Sequence, residues 1–452
     1  MSKNIVFSCS KCSAQAPKWS GRCFDCGAWG TLKEEEVASA KSQPKAGAVG
    51  LKAKPAPVFT VKDLATSSIA RLPVTGFPAA EIFPQGLAAG SLILLSGEPG
   101  AGKSTLALQL AQNACSAHKV IYFSAEEAIV QVKERAGRLG QFSDNFLLSG
   151  AQDVETLAAT VRQERPQMII VDSVQTIGSD EVEGDVGAVN LIKTVAGKLA
   201  ALAQETKIAV IVIGHVTKDG LIAGPKSLEH VVDTVYLLAG DKTTKYRLLR
   251  SLKDRYGPSG RVQVMHMTSR GFRPVVDAAK IFIEDFKPKV GSALTIAQIE
   301  DRLFFLEVQA LVSASSFGYA KRTATGFPPK RLAMILAIIK KHLRLDLDAY
   351  DVYINIAGGF QVTEPALDLA VALSLVSSMQ DKILPEGSVV FGELGLAGEL
   401  RPVSDTSGRL RQIEQNKFSD VYLPPVGQKI SSRLRLTSAD DLPQLLTKVK
   451  WQ

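Results

Sequence analysis

Residues 96–105 read Ser-Gly-Glu-Pro-Gly-Ala-Gly-Lys-Ser-Thr and match G-x-x-x-x-G-K-[ST], the phosphate-binding loop of nucleotide-binding proteins. A short apolar run precedes this loop and good helix formers follow it, as expected where a buried strand leads into a helix. Its glycines let backbone N–H groups turn toward phosphate oxygens. Lys103 is expected to reach the β- and γ-phosphates, and Ser104 to hold Mg²⁺. The predicted nucleotide site comprises Gly97, Glu98, Pro99, Gly100, Ala101, Gly102, Lys103, Ser104 and Thr105.

The size and composition of the chain indicate a globular protein of more than one domain. Its 452 residues, 46% of them hydrophobic, can build two ordinary domains and a small appendage. The formal net charge of +8 agrees with a polyanionic partner but is weak evidence alone. The N-terminus lacks the apolar core of a signal peptide, and no run of 18 apolar residues could span a membrane. We expect a soluble, cytoplasmic protein without a membrane partner.

Four of the five cysteines form two pairs near the N-terminus. Ten residues separate Cys9-x-x-Cys12 from Cys23-x-x-Cys26, a spacing that suits four thiolates around one tetrahedral Zn²⁺. The alternative, disulfide bonds, would need an oxidising compartment that the N-terminal sequence does not indicate. Because four thiolates leave no open coordination position, we expect the zinc to be structural.

Changes in composition divide the chain into four predicted parts. Residues 1–32 form the zinc finger, and 33–58 form a flexible linker rich in Lys, Ala, Ser and Pro. In residues 59–287 apolar runs alternate with helical segments, which predicts an α/β domain around a mainly parallel sheet. A second mixed domain follows over residues 288–452. The predicted strands of the α/β domain are 91–95, 120–123, 168–171, 209–213 and 232–238.

Two of these strands lead into carboxylates. Asp172 follows one strand and suits the Walker B role, in which it polarises a Mg²⁺-bound water or lies in the second shell of the ion. Glu126 and Glu127 follow another strand, where a carboxylate could orient the water that attacks the nucleotide. This stretch resembles RecA-type ATPases, and the resemblance selects Glu126 for that role. Glu127 is expected to cap the next helix.

The order of motifs becomes specific at residues 253–257, which read Lys-Asp-Arg-Tyr-Gly. In an extended stretch Lys253 and Arg255 project the same way. A zinc knuckle, a RecA-like core, a Lys-Asn-Arg-Phe-Gly-like pentapeptide and a C-terminal Lon-like domain follow one another in the bacterial RadA (Sms) family of DNA repair and recombination ATPases. The chain resembles this family over nearly its whole length. It departs at Asp254 and Tyr256, where the family usually has Asn and Phe.

The resemblance implies a fold class and a set of roles. The fold would be α/β, a RecA-like P-loop ATPase core with an N-terminal four-cysteine zinc finger and a C-terminal Lon-protease-like α+β domain. Lys253 and Arg255 would contact nucleotide or DNA across a subunit boundary and are candidates for neutralising transition-state charge there. His215 would sense the γ-phosphate beside a DNA-binding loop at 216–226. Residues 178–187 would form a second mobile loop, although their acidic charge does not argue for DNA contact.

The same resemblance implies an activity and partners. The protein would be a DNA-dependent ATPase and helicase that uses ATP and Mg²⁺, forms a ring, most simply a homo-hexamer, and translocates on single-stranded DNA to process recombination intermediates. Single-stranded and branched DNA and a RecA-type recombinase are the implied partners. Two other classes stay open, an ATP-dependent peptidase and a nucleotide-switched scaffold or autokinase of RecA fold. Glu126 together with Lys253 and Arg255 favours turnover over a passive switch.

The C-terminal part resembles the Lon peptidase domain at residues 358–370 and 391–403. Lon cleaves peptides with a Ser–Lys pair, but here the nucleophile position holds Ala366, whose methyl group cannot attack a carbonyl. Residues 404–411, where the lysine is expected, contain arginines but no lysine, and arginines stay protonated and cannot act as bases. We expect a domain without peptidase activity that serves oligomerisation and DNA binding. Its basic segments, compatible with either phosphate contacts or plain solvated surface, are 321–322, 330–331 and 340–344.

Overall fold

The computed structural model divides the chain into two units, Met1–Ser67 and Ser68–Gln452. The structure describes residues 5–9, 15–16, 18–22, 28–36, 69–182, 187–215, 226–240, 245–275, 279, 281, 283, 286–315, 320–358, 361–427 and 433–452.

The first unit contains a small antiparallel sheet of strand order β2-β1-β3. Its strands are β1 (Ile5–Cys9), β2 (Gln15–Ala16) and β3 (Leu32–Glu36). Because the backbone of residues 33–36 pairs with β1, these residues belong to a strand and not to the linker that the sequence predicted there. The backbone of Cys9 ends β1. Its side chain, together with Cys12, Cys23 and Cys26, lies outside the described residues, as does the remainder of the predicted linker.

The second unit opens with a short hairpin and continues into a large sheet. The opening elements are β4 (Arg71–Leu72), α1 (Ala79–Ile82) and β5 (Leu87–Ala88), with β4 antiparallel to β5. The large sheet has nine strands in the order β14-β13-β12-β11-β6-β10-β9-β7-β8. The strands β11, β6, β10, β9, β7 and β8 are parallel to one another. The strands β12, β13 and β14 extend the sheet beyond β11, each antiparallel to the strand before it.

All five strands predicted for the α/β domain are present, with boundaries shifted by one or two residues. The strands of the large sheet are β6 (Leu92–Gly97), β7 (Val120–Ser124), β8 (Phe146–Ser149), β9 (Met168–Asp172), β10 (Ala209–His215), β11 (Thr234–Ala239), β12 (Tyr246–Asp254), β13 (Val262–Thr268) and β14 (Gly271–Pro274). The helices between them are α2 (Lys103–Cys115), α3 (Ile129–Leu139), α4 (Val154–Glu164), α5 (Val189–Thr206) and α6 (Lys226–Val231).

Helices cover both faces of the large sheet, which explains why its central strands are apolar throughout. Successive side chains of β6 point to opposite faces: Ile93 and Leu95 pack with α1, α2 and α3, while Leu92 and Leu94 pack with α4, α5 and α6. The carboxyl ends of the parallel strands therefore meet at one edge between the two helical layers. The described residues contain no helix that combines the length and the apolar character needed to cross a bilayer.

The described residues of the C-terminal part form three smaller sheets, of four, three and two strands, around a buried helix. Its described strands are β15 (Ser292–Ile299), β16 (Arg302–Ala314), β17 (Arg322–Thr325), β18 (Tyr350–Ile356), β19 (Ser388–Val390), β20 (Glu393–Leu394), β21 (Leu400–Arg401), β22 (Asp420–Leu423) and β23 (Arg435–Ser438). Its helices are α7 (Pro329–Ile338), α8 (Asp368–Gln380), α9 (Thr406–Gln415) and α10 (Leu442–Lys448). Most of α8 is buried on all sides, so its sequence is apolar all round.

The large sheet and the C-terminal part share one hydrophobic cluster. Leu248 of β12 and Val264 of β13 belong to the same cluster as Phe304 of β16. Polar contacts reinforce this packing, because the Arg250 Nε donates to the Glu300 carboxylate at 3.0 Å. The domain boundary predicted at residue 288 is therefore bridged by direct packing between the two parts.

The stretch 178–187 is anchored where it begins. The Glu155 carboxylate accepts hydrogen bonds from Ser179 Oγ at 2.8 Å and from Lys198 Nζ at 2.5 Å, and Lys198 also pairs with Glu181 at 3.0 Å. Burial raises the pKa of Glu155, but hydrogen bonds from Lys198 and Ser179 outweigh burial and lower this pKa to about 2. The Glu155 carboxylate is thus charged at neutral pH. Its bond to Ser179 and the pair between Lys198 and Glu181 attach the first residues of the predicted mobile loop to α4 and α5.

Candidate functional site

The order of strands brings the predicted nucleotide residues to one edge of the large sheet. Strands β6, β10, β9 and β7 are successive neighbours. The register places His215 opposite Gly97 and Ser124 opposite Asp172. Just beyond β7, the Glu126 N–H donates to the Asp172 carbonyl at 3.3 Å. Residues that are far apart in the chain therefore surround the phosphate-binding loop, although the His215 side chain and residues 216–225 lie outside the described residues.

Two glycines of the loop are required by close contacts. A Cβ atom at Gly97 would lie 2.5 Å from the Leu238 carbonyl oxygen, and one at Gly102 would lie 2.9 Å from the Phe272 ring. Gly102 has φ 103° and is the N-cap of α2. A side chain at either position would therefore displace the wall of the loop, and the left-handed backbone at Gly102 adds a second penalty.

Lys103 folds back across the loop. Its side chain is 4% exposed, and its Nζ donates to the carbonyl oxygens of Gly97 at 2.9 Å and Glu98 at 3.0 Å. Burial lowers the pKa of Lys103, while the nearby carboxylates of Asp172 and Glu126 act in the opposite direction. Phosphate oxygens would strengthen the charged form further, so this ammonium fits a bound polyphosphate.

Asp172 is buried and hydrogen-bonded from two sides. It accepts a hydrogen bond from the Tyr122 hydroxyl at 2.5 Å and another from the Ser104 hydroxyl. Burial raises the pKa of Asp172, the two hydrogen bonds lower it, and neighbouring Glu126 and Glu127 raise it. A carboxylate next to a serine hydroxyl supplies the oxygen ligands that Mg²⁺ prefers, so the donor set fits this ion. Sequence reasoning missed Tyr122, because a tyrosine in an apolar strand gives no signal beyond a core residue.

The two glutamates after β7 have different environments. Glu126 is exposed at the mouth of the site, whereas Glu127 pairs with Arg135 at 2.7 Å. The prediction that Glu127 caps the next helix is wrong: α3 has Ala128 as its N-cap, without a side-chain hydrogen bond. Arg135 lies two turns into α3, and its charge draws the carboxylate away from the helix end.

Three buried polar atoms near this edge lack a hydrogen-bond partner among the described residues. They are Glu127 Oε2 and both amide atoms of Gln175. Gln175 follows Asp172 by three residues, and its Nε2 lies 3.6 Å from the position that a Cβ of Gly214 would take. An unpaired buried polar group costs about 1–3 kcal/mol, so these atoms are sites where a further polar group would be stabilising.

Lys253 and Arg255 lie at the opposite edge of the sheet, where the parallel strands begin. Strand β12 is antiparallel to β11, so Asp254 pairs with Thr234, which is level with Ile93 at the beginning of β6. Four residues of strand, roughly 13 Å, separate this level from Gly97. The structure therefore does not bring the two cations to the phosphate-binding loop of their own chain.

Both cations have partners within the chain. Lys253 Nζ donates to the carbonyls of Glu229 at 2.5 Å and Val232 at 2.7 Å, at the end of α6. Burial and the Arg255 charge lower the pKa of Lys253, against the opposite influence of Asp233 and Glu229. Arg255 pairs with Asp233 at 3.2 Å, and its side chain is 56% exposed. Arg255 is thus the more accessible of the two.

Buried ion pairs occupy the region that resembles a peptidase site. Ala366 is fully buried. Arg409, within the segment where a lysine was expected, is also fully buried, pairs with Glu364 and donates to the Ile296 carbonyl at 2.5 Å. Ser374 Oγ donates back to the Val371 carbonyl at 2.9 Å. Arg409 thus links α9 to Glu364 and to β15 in the interior of the domain.

Several basic residues of the segments 321–322, 330–331 and 340–344 have partners within the chain. Arg331 pairs with Asp368, Lys340 pairs with Asp348, and Arg322 donates to the Leu347 carbonyl at 2.7 Å. Carboxylates or carbonyls of the same domain thus already interact with the charges of these three residues. The exposed basic members of these segments are Lys321, Arg322, Lys330, Lys340, Lys341 and Arg344.

Comparisons with known proteins agree with this organisation. The family model of an AAA domain matches residues 60–221, that of a rubredoxin metal binding domain matches residues 7–34, and that of subunit ChlI of Mg-chelatase matches residues 329–426. The expected fold class is thereby confirmed, with a RecA-like ATPase core, an N-terminal metal-binding ribbon and a C-terminal Lon-like domain.

Curated relatives match nearly the whole chain. DNA repair protein RadA of Aquifex aeolicus is 37% identical over 94% of each chain, and that of Escherichia coli is 36% identical over 97% of this chain and 98% of its own. DNA repair protein RadA of Streptococcus pyogenes is 34% identical over 99% of each. Among solved structures, an isolated ATPase domain aligns with 47% of this chain and 93% of its own, at a TM-score of 0.39 and 16% identity. With the identity of the curated relatives extending over nearly the full length, the chain belongs to the RadA family of DNA repair proteins.

Proposed function

We propose that this protein is a DNA-dependent ATPase whose copies assemble head to tail, so that each copy completes the ATP site of its neighbour. The observation that carries the proposal is the split between the two edges of the large sheet. Lys103, Asp172 and Glu126 meet at one edge, while Lys253 and Arg255 lie at the other. A head-to-tail arrangement brings these two edges together, and it closes into a ring when the rotation between copies closes.

Exposed apolar residues at both edges support this arrangement. Ile129 and Val130 are exposed just beyond Glu126, and Leu252 is exposed beside Lys253. Large apolar side chains next to the reactive groups of both edges favour burial against another copy. The ring is most simply a homo-hexamer, as the family resemblance suggests.

The residues of the loop edge have distinct roles in ATP hydrolysis. Lys103 binds the β- and γ-phosphates, and Ser104 and Asp172 are the residues that would bind Mg²⁺. Glu126 orients the attacking water, and His215 responds to the γ-phosphate at the end of β10. Mg²⁺ held by Ser104 and Asp172 would offset the negative charge of the phosphates. Arg255 of the adjacent copy, with Lys253, neutralises the charge that develops on the transferred phosphoryl group.

The nucleic acid that we propose as partner is single-stranded or branched DNA. The relatives are named DNA repair proteins, and the chain carries a net charge of +8. The exposed lysines of the C-terminal part can contact a phosphate backbone in a salt-dependent way. Translocation on this DNA, branch migration and cooperation with a RecA-type recombinase complete the proposal.

The test combines ATP hydrolysis with particle size. We expect single-stranded DNA to stimulate hydrolysis, and nucleotide to favour a ring-sized particle in light scattering. A peptidase would instead cleave casein in the presence of ATP, and an autokinase would transfer labelled phosphate to its own chain. An assembly that forms with nucleotide but hydrolyses none, with or without DNA, would contradict the proposal and favour the scaffold.

Tyr122→Phe is expected to slow ATP hydrolysis about threefold to tenfold, because Asp172 loses the hydroxyl that holds its carboxylate. The Mg²⁺ concentration that gives half the maximal rate should rise as well. Tyr236→Phe is the matched control, since this buried tyrosine donates to the Ile82 carbonyl, away from the loop. Steady-state rates across a Mg²⁺ series measure both variants. Equal Mg²⁺ dependence in the two variants would reduce Tyr122 to a core residue.

The N-terminal cysteines are proposed to bind zinc. Metal analysis should find about one zinc per chain, which is lost when Cys9 and Cys26 are both changed to serine. Cys115→Ser is the control, because Cys115 is a buried free cysteine in α2 and should leave the zinc content unchanged. Stoichiometric disulfides without metal would contradict the proposed zinc site.

A further inference from the structure

We propose that Arg247 is a positioning residue of the ATP site, which holds the phosphate-binding loop in the orientation that receives the nucleotide. The proposal rests on the ATPase function proposed above and assigns a new residue to that site. Arg247 lies on β12, outside every motif that the sequence contains.

Contacts place the Arg247 guanidinium directly behind the loop. Arg247 is 6% exposed, and its Nε donates to the Ala101 carbonyl at 3.2 Å. Its Nη1 donates to the Tyr246 carbonyl at 2.8 Å. The guanidinium is therefore buried against a main-chain carbonyl of the loop.

The fold makes room for this side chain at the loop. Strand β12 pairs Leu248 with Ala239, which places Arg247 near the end of β11 and beside Gly240. A Cβ atom at Gly240 would lie 2.5 Å from Arg247 Cδ. The glycine therefore opens the path along which the arginine reaches Ala101.

Peptide geometry connects this contact to phosphate binding. In a trans peptide the C=O and the following N–H point in opposite directions. Because the Ala101 carbonyl points toward Arg247, the Gly102 N–H points away from it. Gly102 is the N-cap of α2, and main-chain N–H groups at this position are donors to phosphate. A peptide next to a glycine turns easily, so the arginine fixes an orientation that the loop alone would hold weakly.

Neighbouring strands support the same part of the loop. The Phe272 ring and Met267 lie 2.9 and 3.2 Å from the position of a Cβ on Gly102. Gln109 of α2 binds the main chain of Phe272 on both sides, accepting from its N–H at 2.7 Å and donating to its carbonyl at 3.1 Å. These contacts place β12 to β14 as a wall behind the loop, in which Arg247 contacts the loop carbonyl.

The test compares Arg247→Met with Arg250→Met. Arg250 lies three residues further along β12 and pairs with Glu300, so the control removes a guanidinium from the same strand without touching the loop. We expect Arg247→Met to weaken Mg²⁺-ADP binding, measured by calorimetry, and to raise KM for ATP about tenfold or more. Arg250→Met should stay within twofold of the wild type in both. Arg247→Lys, which keeps the charge and one donor, should recover part of the affinity.

Thermal unfolding separates positioning from stability. We expect ADP to raise the Tm of the wild type and of Arg250→Met by similar amounts, and to raise that of Arg247→Met by clearly less. Affinities of Arg247→Met and Arg247→Lys within twofold of the wild type would overturn the proposal, as would an equal loss in Arg250→Met. If Arg247→Met does not fold, Arg247→Lys carries the comparison. A wild type that binds no nucleotide would instead refute the proposed function itself.

Discussion

Lys103→Ala should abolish ATP hydrolysis, with a loss of about a thousandfold or more in kcat. The ammonium lies buried within the loop, where it donates to two main-chain carbonyls and can exchange them for phosphate oxygens. Removing a cation from a buried site that stabilises transition-state charge costs several kcal/mol, roughly 3–5. Phosphate release with and without single-stranded DNA measures the loss.

The fold should survive this substitution, because alanine is a good helix former and Lys103 begins α2. Lys119→Ala is a suitable control, since Lys119 pairs with Glu164 at 2.6 Å on the partly exposed surface. This variant should keep the wild-type rate, while circular dichroism should show the same helix content in both. Wild-type hydrolysis in a folded Lys103→Ala protein would remove the phosphate-binding assignment.

Residues that act through local geometry could be predicted from the sequence. The phosphate-binding loop is contiguous, so its glycines and Lys103 specify its shape without distant contacts. Asp172 was identified because an apolar strand ending in a carboxylate follows such a loop. The strands of the sheet could also be predicted, because burial on both faces leaves an apolar run in the sequence.

Residues that act through strand pairing could not be predicted in this way. Tyr122 reaches Asp172 only because β7 and β9 are neighbours in a particular register. Arg247 reaches Ala101 only because β12 is antiparallel to β11. The failed prediction for Glu127 has a related cause, because its ion pair with Arg135 prevails over a capping preference worth about 1 kcal/mol.

The position of Lys253 and Arg255 is the most consequential of these long-range features. From the sequence alone the pentapeptide could have approached the loop of its own chain. The antiparallel return of β12 instead takes it to the opposite edge, four strand residues from the level of Gly97. A role for these cations in hydrolysis then requires a second copy of the chain.

Mixing two inactive variants tests that requirement. We expect Lys103→Ala and Arg255→Ala chains to hydrolyse more ATP together than either does alone. Where an Arg255→Ala chain presents its intact loop to the intact arginine of a Lys103→Ala neighbour, the site is complete. With equal amounts and random order in a closed ring, about a quarter of the interfaces regain a full set of groups. Arg255 is preferred to Lys253 because Lys253 also holds the end of α6.

A mixture of Lys103→Ala with Glu126→Gln is the matched control. Both of these groups belong to the loop edge of one chain, so no interface in that mixture has an intact pair and no recovery is expected. Recovery in both mixtures would mean that the activity has another source than the arginine of the neighbouring copy, such as contaminating wild-type protein. If the Arg255→Ala mixture stays inactive although mass spectrometry shows mixed assemblies, Arg255 does not act on its neighbour's nucleotide. The exposed guanidinium, which pairs with Asp233, would then be left to contact DNA.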